Sequence, residues 1–271
     1  MRRMSDITKS SSEQLAKLAA ELFVCLRFCT RIPIPRLDFE PPPKDASIAA
    51  AAPMLPVAGA IIGVAAAIVL CFFAKLGLPT SLAVLIAIAS LMVLTGGLHE
   101  DGLADCADAL GGATSEQRLA IMKDSRVGTF GSLALVISVI ARVMSVAILA
   151  DHSLGLAAAV LISAAASSRS FALLPLYILP PARSEGLGAT THPRQRDLLV
   201  IGIATVLISL VPIFAGADLP RIFIALILSA GAAYGTTSLA RHLIGGQTGD
   251  VAGATQQIAE LTTYLVFTAW L

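Results

Sequence analysis

Three aspartates, Asp101, Asp105 and Asp108, stand at i, i+4 and i+7 within His99-Glu100-Asp101-Gly102-Leu103-Ala104-Asp105-Cys106-Ala107-Asp108. On a helix turning about 100° per residue they project within roughly a 60° arc. Like charges at i,i+4 destabilise a bare helix, so the spacing asks for a cation among the carboxylates. Mg²⁺ fits: it takes oxygen ligands, keeps several waters and shares its shell with substrate phosphates. The three aspartates are therefore candidate metal ligands and catalytic residues, and His99, at the head of the stretch, is a candidate catalytic residue with them. The plain alternative is a solvated helix face. It fits poorly in a chain with only 14% charged residues, because polar groups near a bilayer are costly and tend to be functional.

Two further polar, glycine-bearing segments accompany the acidic one: Lys123-Asp124-Ser125-Arg126-Val127-Gly128-Thr129-Phe130-Gly131 and Gly245-Gly246-Gln247-Thr248-Gly249-Asp250-Val251-Ala252-Gly253-Ala254. Glycine lets backbone approach a ligand and leaves N–H groups free to cradle phosphate. The last segment equally suits a helix cap with small-residue packing of Gly249 and Gly253. Asp250 is open to two readings, a helix cap or an additional metal ligand. Lys123, Arg126, Arg183 and Arg241 are of the type that grips phosphate, against ordinary positive-inside bias. Arg142 and Arg169 fall inside apolar spans and need an acidic partner or a substrate phosphate. The substrate-binding candidates are Lys123, Asp124, Arg126, Arg169, Arg183, Thr248 and Asp250. No nucleophile elbow, Walker loop or dinucleotide fingerprint occurs. The set points to metal-assisted phosphoryl or phosphodiester transfer, in which charge on a diphosphate is neutralised and a hydroxyl activated.

The elements that must carry these residues are membrane helices. The chain has 271 residues, 56% of them hydrophobic, and a mean hydropathy of +0.82; soluble domains have about 45–50% apolar and about 25% charged residues. The net charge of +1 offers nothing to a nucleic acid. Cys25, Cys29, Cys71 and Cys106 imply neither a disulfide framework nor a metal site. Residues 1–12 are polar and expected without structure. From 13 to 30 the apolar spacing predicts an amphipathic helix at the membrane surface, with a soluble-facing packing helix as the alternative. Pro41-Pro42-Pro43 reads as a stiff linker. Apolar spans follow near 49–74, 79–98, 130–150, 154–179, 198–215, 221–240 and 253–271, the first interrupted by Pro53 and Pro56 and the last the least apolar. The expected fold is an all-α polytopic membrane bundle of six or seven transmembrane helices forming one domain over 1–271.

Lysine and arginine distribution orients it. Eight precede the first span, and the loops after the second, fourth and sixth spans hold three, three and one; only Lys75 and Arg221 lie on the opposite side. The N-terminus and all three polar segments are therefore expected in the cytoplasm.

At these residues the chain resembles a known family. Gly96-Gly97-Leu98-His99-x-Asp101-Gly102-Leu103-Ala104-Asp105-x-x-Asp108 is similar to the signature of the cobalamin synthases, the adenosylcobinamide-GDP ribazoletransferases. Asp124-Ser125-Arg126-x-Gly128-x-Phe130-Gly131, Arg183-x-Glu185-Gly186-Leu187-Gly188, Thr248-Gly249-Asp250-x-x-Gly253-Ala254 and Phe28-x-Thr30-Arg31-Ile32-Pro33 resemble its other motifs, in order. Glu100 departs from the family's usual apolar residue, and His192 lies in a loop with no match. The resemblance implies an Mg²⁺-dependent enzyme of the bacterial cytoplasmic (inner) membrane. Such an enzyme joins adenosylcobinamide-GDP to α-ribazole or its 5′-phosphate and releases GMP. Its partners would be these corrinoid and ribazole substrates and the lipid bilayer. A homo-oligomer and association with other late corrinoid-pathway enzymes are left open. A CDP-alcohol phosphotransferase-like enzyme also places aspartates at helical spacing in a membrane, but its Asp-x-x-Asp-Gly-x-x-Ala-Arg order is absent. A cation transporter would carry its carboxylates at mid-span rather than at one face.

Overall fold

The computed structural model describes residues 2–38, 40, 47–184, 194–269 and 271, with side chains of the first helix described from Gln14 onward. The Pro41-Pro42-Pro43 linker, the segment Glu185-Gly186-Leu187-Gly188 and His192 lie outside the described residues. Among the described residues the regular structure is helical, with a lone β-bridge between Pro181 and Gln247.

Helix α1 (Arg2–Cys29) begins well before the boundary expected at residue 13. Leu15 and Leu18 are exposed while Cys25, Leu26 and Cys29 are buried, so the helix docks by its last two turns. α2 (Ile48–Ala51) leads through a 3₁₀ turn at Ala52–Met54 into α3 (Leu55–Lys75). Pro53 and Pro56 sit in first-turn positions, where a missing N–H costs nothing. α4 (Thr80–Thr95), α5 (Leu98–Asp108), α6 (Ser115–Ile121), α7 (Thr129–His152), α8 (Leu154–Phe171) and α9 (Leu174–Ile178) follow. Beyond them come α10 (Leu198–Ser209), α11 (Leu219–Ile244) and α12 (Gly249–Ala269).

Five segments are long and apolar enough to cross a membrane: Ile48–Lys75, Thr129–His152, Leu154–Ile178, Gln195–Ala215 and Leu219–Ile244. The bent pair α4–α5 makes a sixth if read as one span. Leu133, Val136, Ile137, Ile140, Met144 and Ile148 recur at helical spacing on the exposed face of α7, a surface that only hydrocarbon would cover at no cost. The chain is a multi-pass membrane protein. The segment expected as a seventh span is α12, about 31 Å long at 1.5 Å per residue. It is not apolar enough to count because Gln256, Gln257 and Glu260 are all buried on it. It packs against α5, α7, α8 and α11 and forms the interior of the bundle.

The apolar run expected over 79–98 stops early, at Gly96-Gly97. Both glycines adopt left-handed backbone, φ 67° and 68°, a conformation that costs other residues 1 kcal/mol or more, by the ~1–2 kcal/mol typical of left-handed geometry. The chain turns through 89° there. α5 consequently lies nearly at right angles to α4.

The three polar segments meet at this end. Ala182 N–H donates to Gln247 O (2.9 Å) and Gln247 N–H to Pro180 O (2.9 Å). Arg118 Nη1 donates to Leu243 O (3.1 Å) and Arg183 Nη2 to Leu119 O (3.1 Å).

Candidate active site

Helix α5 reaches the first turn of α12 because both are bare where they cross. A Cβ on Gly102 would stand 2.7 Å from Asp250 O and 3.1 Å from Gly253 Cα. Gly253 in turn faces the Cα atoms of Gly102 and His99, each 3.4 Å from its own would-be Cβ. The crossing sets Asp250 beside the acidic face of α5. The segment's other reading, small-residue packing, is thus also present, carried by Gly253 against α5. Thr248, not Asp250, caps α12: its Oγ1 accepts from Val251 N–H (3.2 Å) and donates to Asp250 Oδ2 (3.2 Å). The Asp250 carboxylate is left to face Arg183, with Oδ2 3.6 Å from Nη1.

The result is an acidic group drawn from two sequence-distant segments. Asp101 is exposed and Asp105 half-buried on α5. Burial pushes the Asp105 carboxyl up to about 7, and the negative charges of Asp101, Asp250 and Asp108 push the same way against Arg183. Among the described residues no three acidic, His or Cys side chains stand close enough to hold a metal ion together. Mg²⁺ does not require one: it is bound through one or two carboxylates, waters and substrate phosphates, and the oxygen donors Asp101, Asp105 and Asp250 fit that habit.

Asp108 is differently placed from the other two. Its Oδ2 accepts from Gly128 N–H (2.7 Å) and its Oδ1 from Gly131 N–H (2.8 Å). The carboxylate thus supplies the missing partners at the start of α7. A Cβ on Gly128 would come within 2.5 Å of Asp108 Oδ1, and one on Gly131 within 2.3 Å of Oδ2. The glycines of the second motif make room for the last aspartate of the first.

His99, Asp101, Asp250 and Arg169 line one cavity of about 220 Å³. His99 is buried. Arg169 is 1% exposed. Its Nη1 donates to Ala165 O (2.8 Å), while Nε and Nη2 have no hydrogen-bond partner among the described residues.

Lys123, Asp124 and Arg126 remain outside this group, on the exposed loop before α7. Asp124 and Arg126 pair with each other, Oδ2 to Nη2 2.6 Å, and the guanidinium holds the Asp124 carboxyl down at about 2.

One buried polar set was read only in part from the sequence. Arg142 has acidic partners: its Nη1 lies 3.1 Å from Glu100 Oε1 and 3.6 Å from Glu260 Oε1. Glu100 also accepts from Gln257 (3.3 Å), and Glu260 from Gln256 (2.6 Å) and Tyr264 (3.1 Å). Gln256 continues to Ser168 Oγ (2.9 Å). This buried network ties α5 to α7, α8 and α12. Its signal was available in Gln256, Gln257 and Glu260, which stand within an otherwise apolar segment.

The chain matches the cobalamin-5-phosphate synthase family over residues 21–268. A protein of Azorhizobium caulinodans named adenosylcobinamide-GDP ribazoletransferase is 41% identical over 251 residues, 91% of this chain and 94% of that one. Proteins of the same name from Allorhizobium ampelinum and Xanthobacter autotrophicus are 40% and 41% identical. They cover 92% and 93% of this chain and 96% and 97% of their own lengths. No solved structure matches the chain.

Proposed function

Because the chain belongs to the cobalamin-5-phosphate synthase family, we propose that it joins adenosylcobinamide-GDP to α-ribazole or α-ribazole 5′-phosphate, releasing GMP. The observation that carries this reading is the convergence of Asp101, Asp105 and Asp250 beside Arg183, next to a cavity with a buried arginine. A 3′-hydroxyl of the acceptor attacks the cobinamide-side phosphorus. The new oxygen–phosphorus bond forms as the bond to GMP breaks; GMP leaves with the electron pair and the hydroxyl proton is released. One or two of the carboxylates Asp101, Asp105 and Asp250 would hold Mg²⁺, which when bound would neutralise diphosphate charge. Arg183, in an ion pair with Asp250 at 3.6 Å, steadies that carboxylate and offers the leaving phosphate a cation. Asp108 acts on position, holding the start of α7 and with it the loop bearing Lys123 and Arg126. The test is purified protein in vesicles with both substrates. GMP release that needs the ribazole acceptor and Mg²⁺ is expected; ion flux without GMP release would overturn the reading.

The proposed setting is the bacterial cytoplasmic membrane with the site facing the cytoplasm. The support is the lysine and arginine asymmetry together with the meeting of all three charged segments at one end of the bundle. A reporter fused after residue 115 is expected to be active only in its cytoplasmic form; periplasmic activity would reverse the orientation.

A further inference from the structure

The cavity beside the acidic group has one feature the transfer chemistry does not use. Arg169 is buried to 1% exposure, and among the described residues no nitrogen or oxygen acceptor meets its Nε or Nη2. Cys29 lies against the guanidinium, and a thiol sulfur is a weak acceptor. A buried cation is tolerated when an anion completes it. Asp101 and Asp250 line the same cavity, but neither makes an ion pair with Arg169 among the described residues. Phe28, Ile48, Leu55, Leu173 and Leu176 form the remaining walls. The cavity therefore combines hydrocarbon walls, a cation with no ion pair among the described residues and a carboxylate-lined side.

We infer that this cavity is the seat of the attacking nucleoside, with Arg169 as its anion anchor. The inference rests on the reaction proposed above and adds to it where the acceptor binds. Two arguments favour the acceptor over the donor. Guanine would leave its ring N–H and carbonyl groups unpaired against these walls, at the cost of burying unsatisfied polar atoms, whereas an alkylated benzimidazole matches them. A 5′-phosphate answers Nε and Nη2 in the fork geometry that arginine prefers. Seated so, the ribose lies between Arg169 and Asp101, and its 3′-hydroxyl reaches the acidic group.

The experiment uses the full-length protein in vesicles with adenosylcobinamide-GDP and Mg²⁺. KM is measured for α-ribazole 5′-phosphate and for α-ribazole, and binding of each is measured by calorimetry without donor. For Arg169→Gln, KM and Kd for the phosphorylated acceptor are expected to rise about 10- to 100-fold, the size of one lost charge-assisted pair. The unphosphorylated acceptor and the donor KM should change less than about threefold on the same grounds. Arg169→Lys should recover part of the loss, since it keeps charge without the fork. Ala172 also lines the cavity; Ala172→Leu, which narrows it and leaves Arg169 in place, should weaken both acceptors and spare the donor, and it decides the matter if the Arg169 variants do not fold. A raised donor KM with unchanged acceptor binding, or wild-type binding of both acceptors in Arg169→Gln and Ala172→Leu, would overturn the assignment. If the wild-type protein releases no GMP with either acceptor, the proposed reaction fails, while calorimetry still tests the seat separately.

Discussion

Asp105→Asn is expected to lower kcat by about three orders of magnitude, the kinetic equivalent of about 4 kcal/mol, without lowering the unfolding temperature. The side chain keeps its size and loses only charge. That charge is surrounded by Asp101, Asp250 and Asp108, so in metal-free buffer the variant should unfold at the wild-type temperature or above it, because a like-charge repulsion has gone. Asp108→Asn should behave in the opposite way. Its two carboxylate oxygens each take a backbone N–H at the start of α7, and an amide can accept only one of them. The other N–H then faces an NH₂ group. A loss of about 1–3 kcal/mol is expected from the orphaned donor. The unfolding temperature should fall, and activity should fall with it as the Lys123–Arg126 loop loosens. Thermal unfolding and initial rates on the same preparations check both. Equal destabilisation by the two variants would mean that the three aspartates form one undifferentiated group.

The contrast between these aspartates shows what a helical pattern can and cannot convey. The i, i+4, i+7 spacing places three carboxylates on one face of α5, and they are on that face. It says nothing of what the neighbouring elements offer each one. Asp101 meets solvent, Asp105 meets Asp250, and Asp108 meets two N–H groups from a segment some twenty residues on. The membrane class, the span order and the polar end of the bundle were legible because hydrocarbon imposes its solvent rule on every exposed residue. The break at Gly96-Gly97 was marked by a glycine pair but hidden inside an apolar run. Arg142 was visible as an anomaly, yet its partner was not, because Glu100 stands one residue from Asp101 and reads as part of the acidic cluster. At about 100° away on the helix it faces inward. Reading α12 as an ordinary span missed its role for the same reason: polar residues lowered its hydropathy, and that polarity is the sign of an interior helix.

Arg142→Met is the substitution expected to cost most in stability. The guanidinium is fully buried and stands between Glu100 and Glu260, which are also buried. Methionine fills much of the volume and removes the one cation, leaving two carboxylates facing each other in the bundle. Breaking a buried pair from one side costs about 3–5 kcal/mol, most of it the uncompensated charge left behind. Loss of folded yield and a drop in unfolding temperature are expected, and activity should fall too, since Glu100 anchors α5 between His99 and Asp101. Glu260→Gln alone should cost less, about 1–3 kcal/mol: the amide oxygen still accepts from Tyr264 and Arg142 keeps Glu100, but the amide NH₂ faces the Gln256 donor. The diagnostic variant is Arg142→Met with Glu100→Gln and Glu260→Gln. If charge is the cause, neutralising both acids should restore more than half of the lost stability, because an apolar or neutral replacement of a whole buried ion cluster is close to neutral. If the loss persists in the triple variant, shape and not charge holds α5, and packing around residue 142 carries the site. If Arg142→Met alone unfolds at the wild-type temperature, the network bears no load and α5 is held by its glycine crossing with α12.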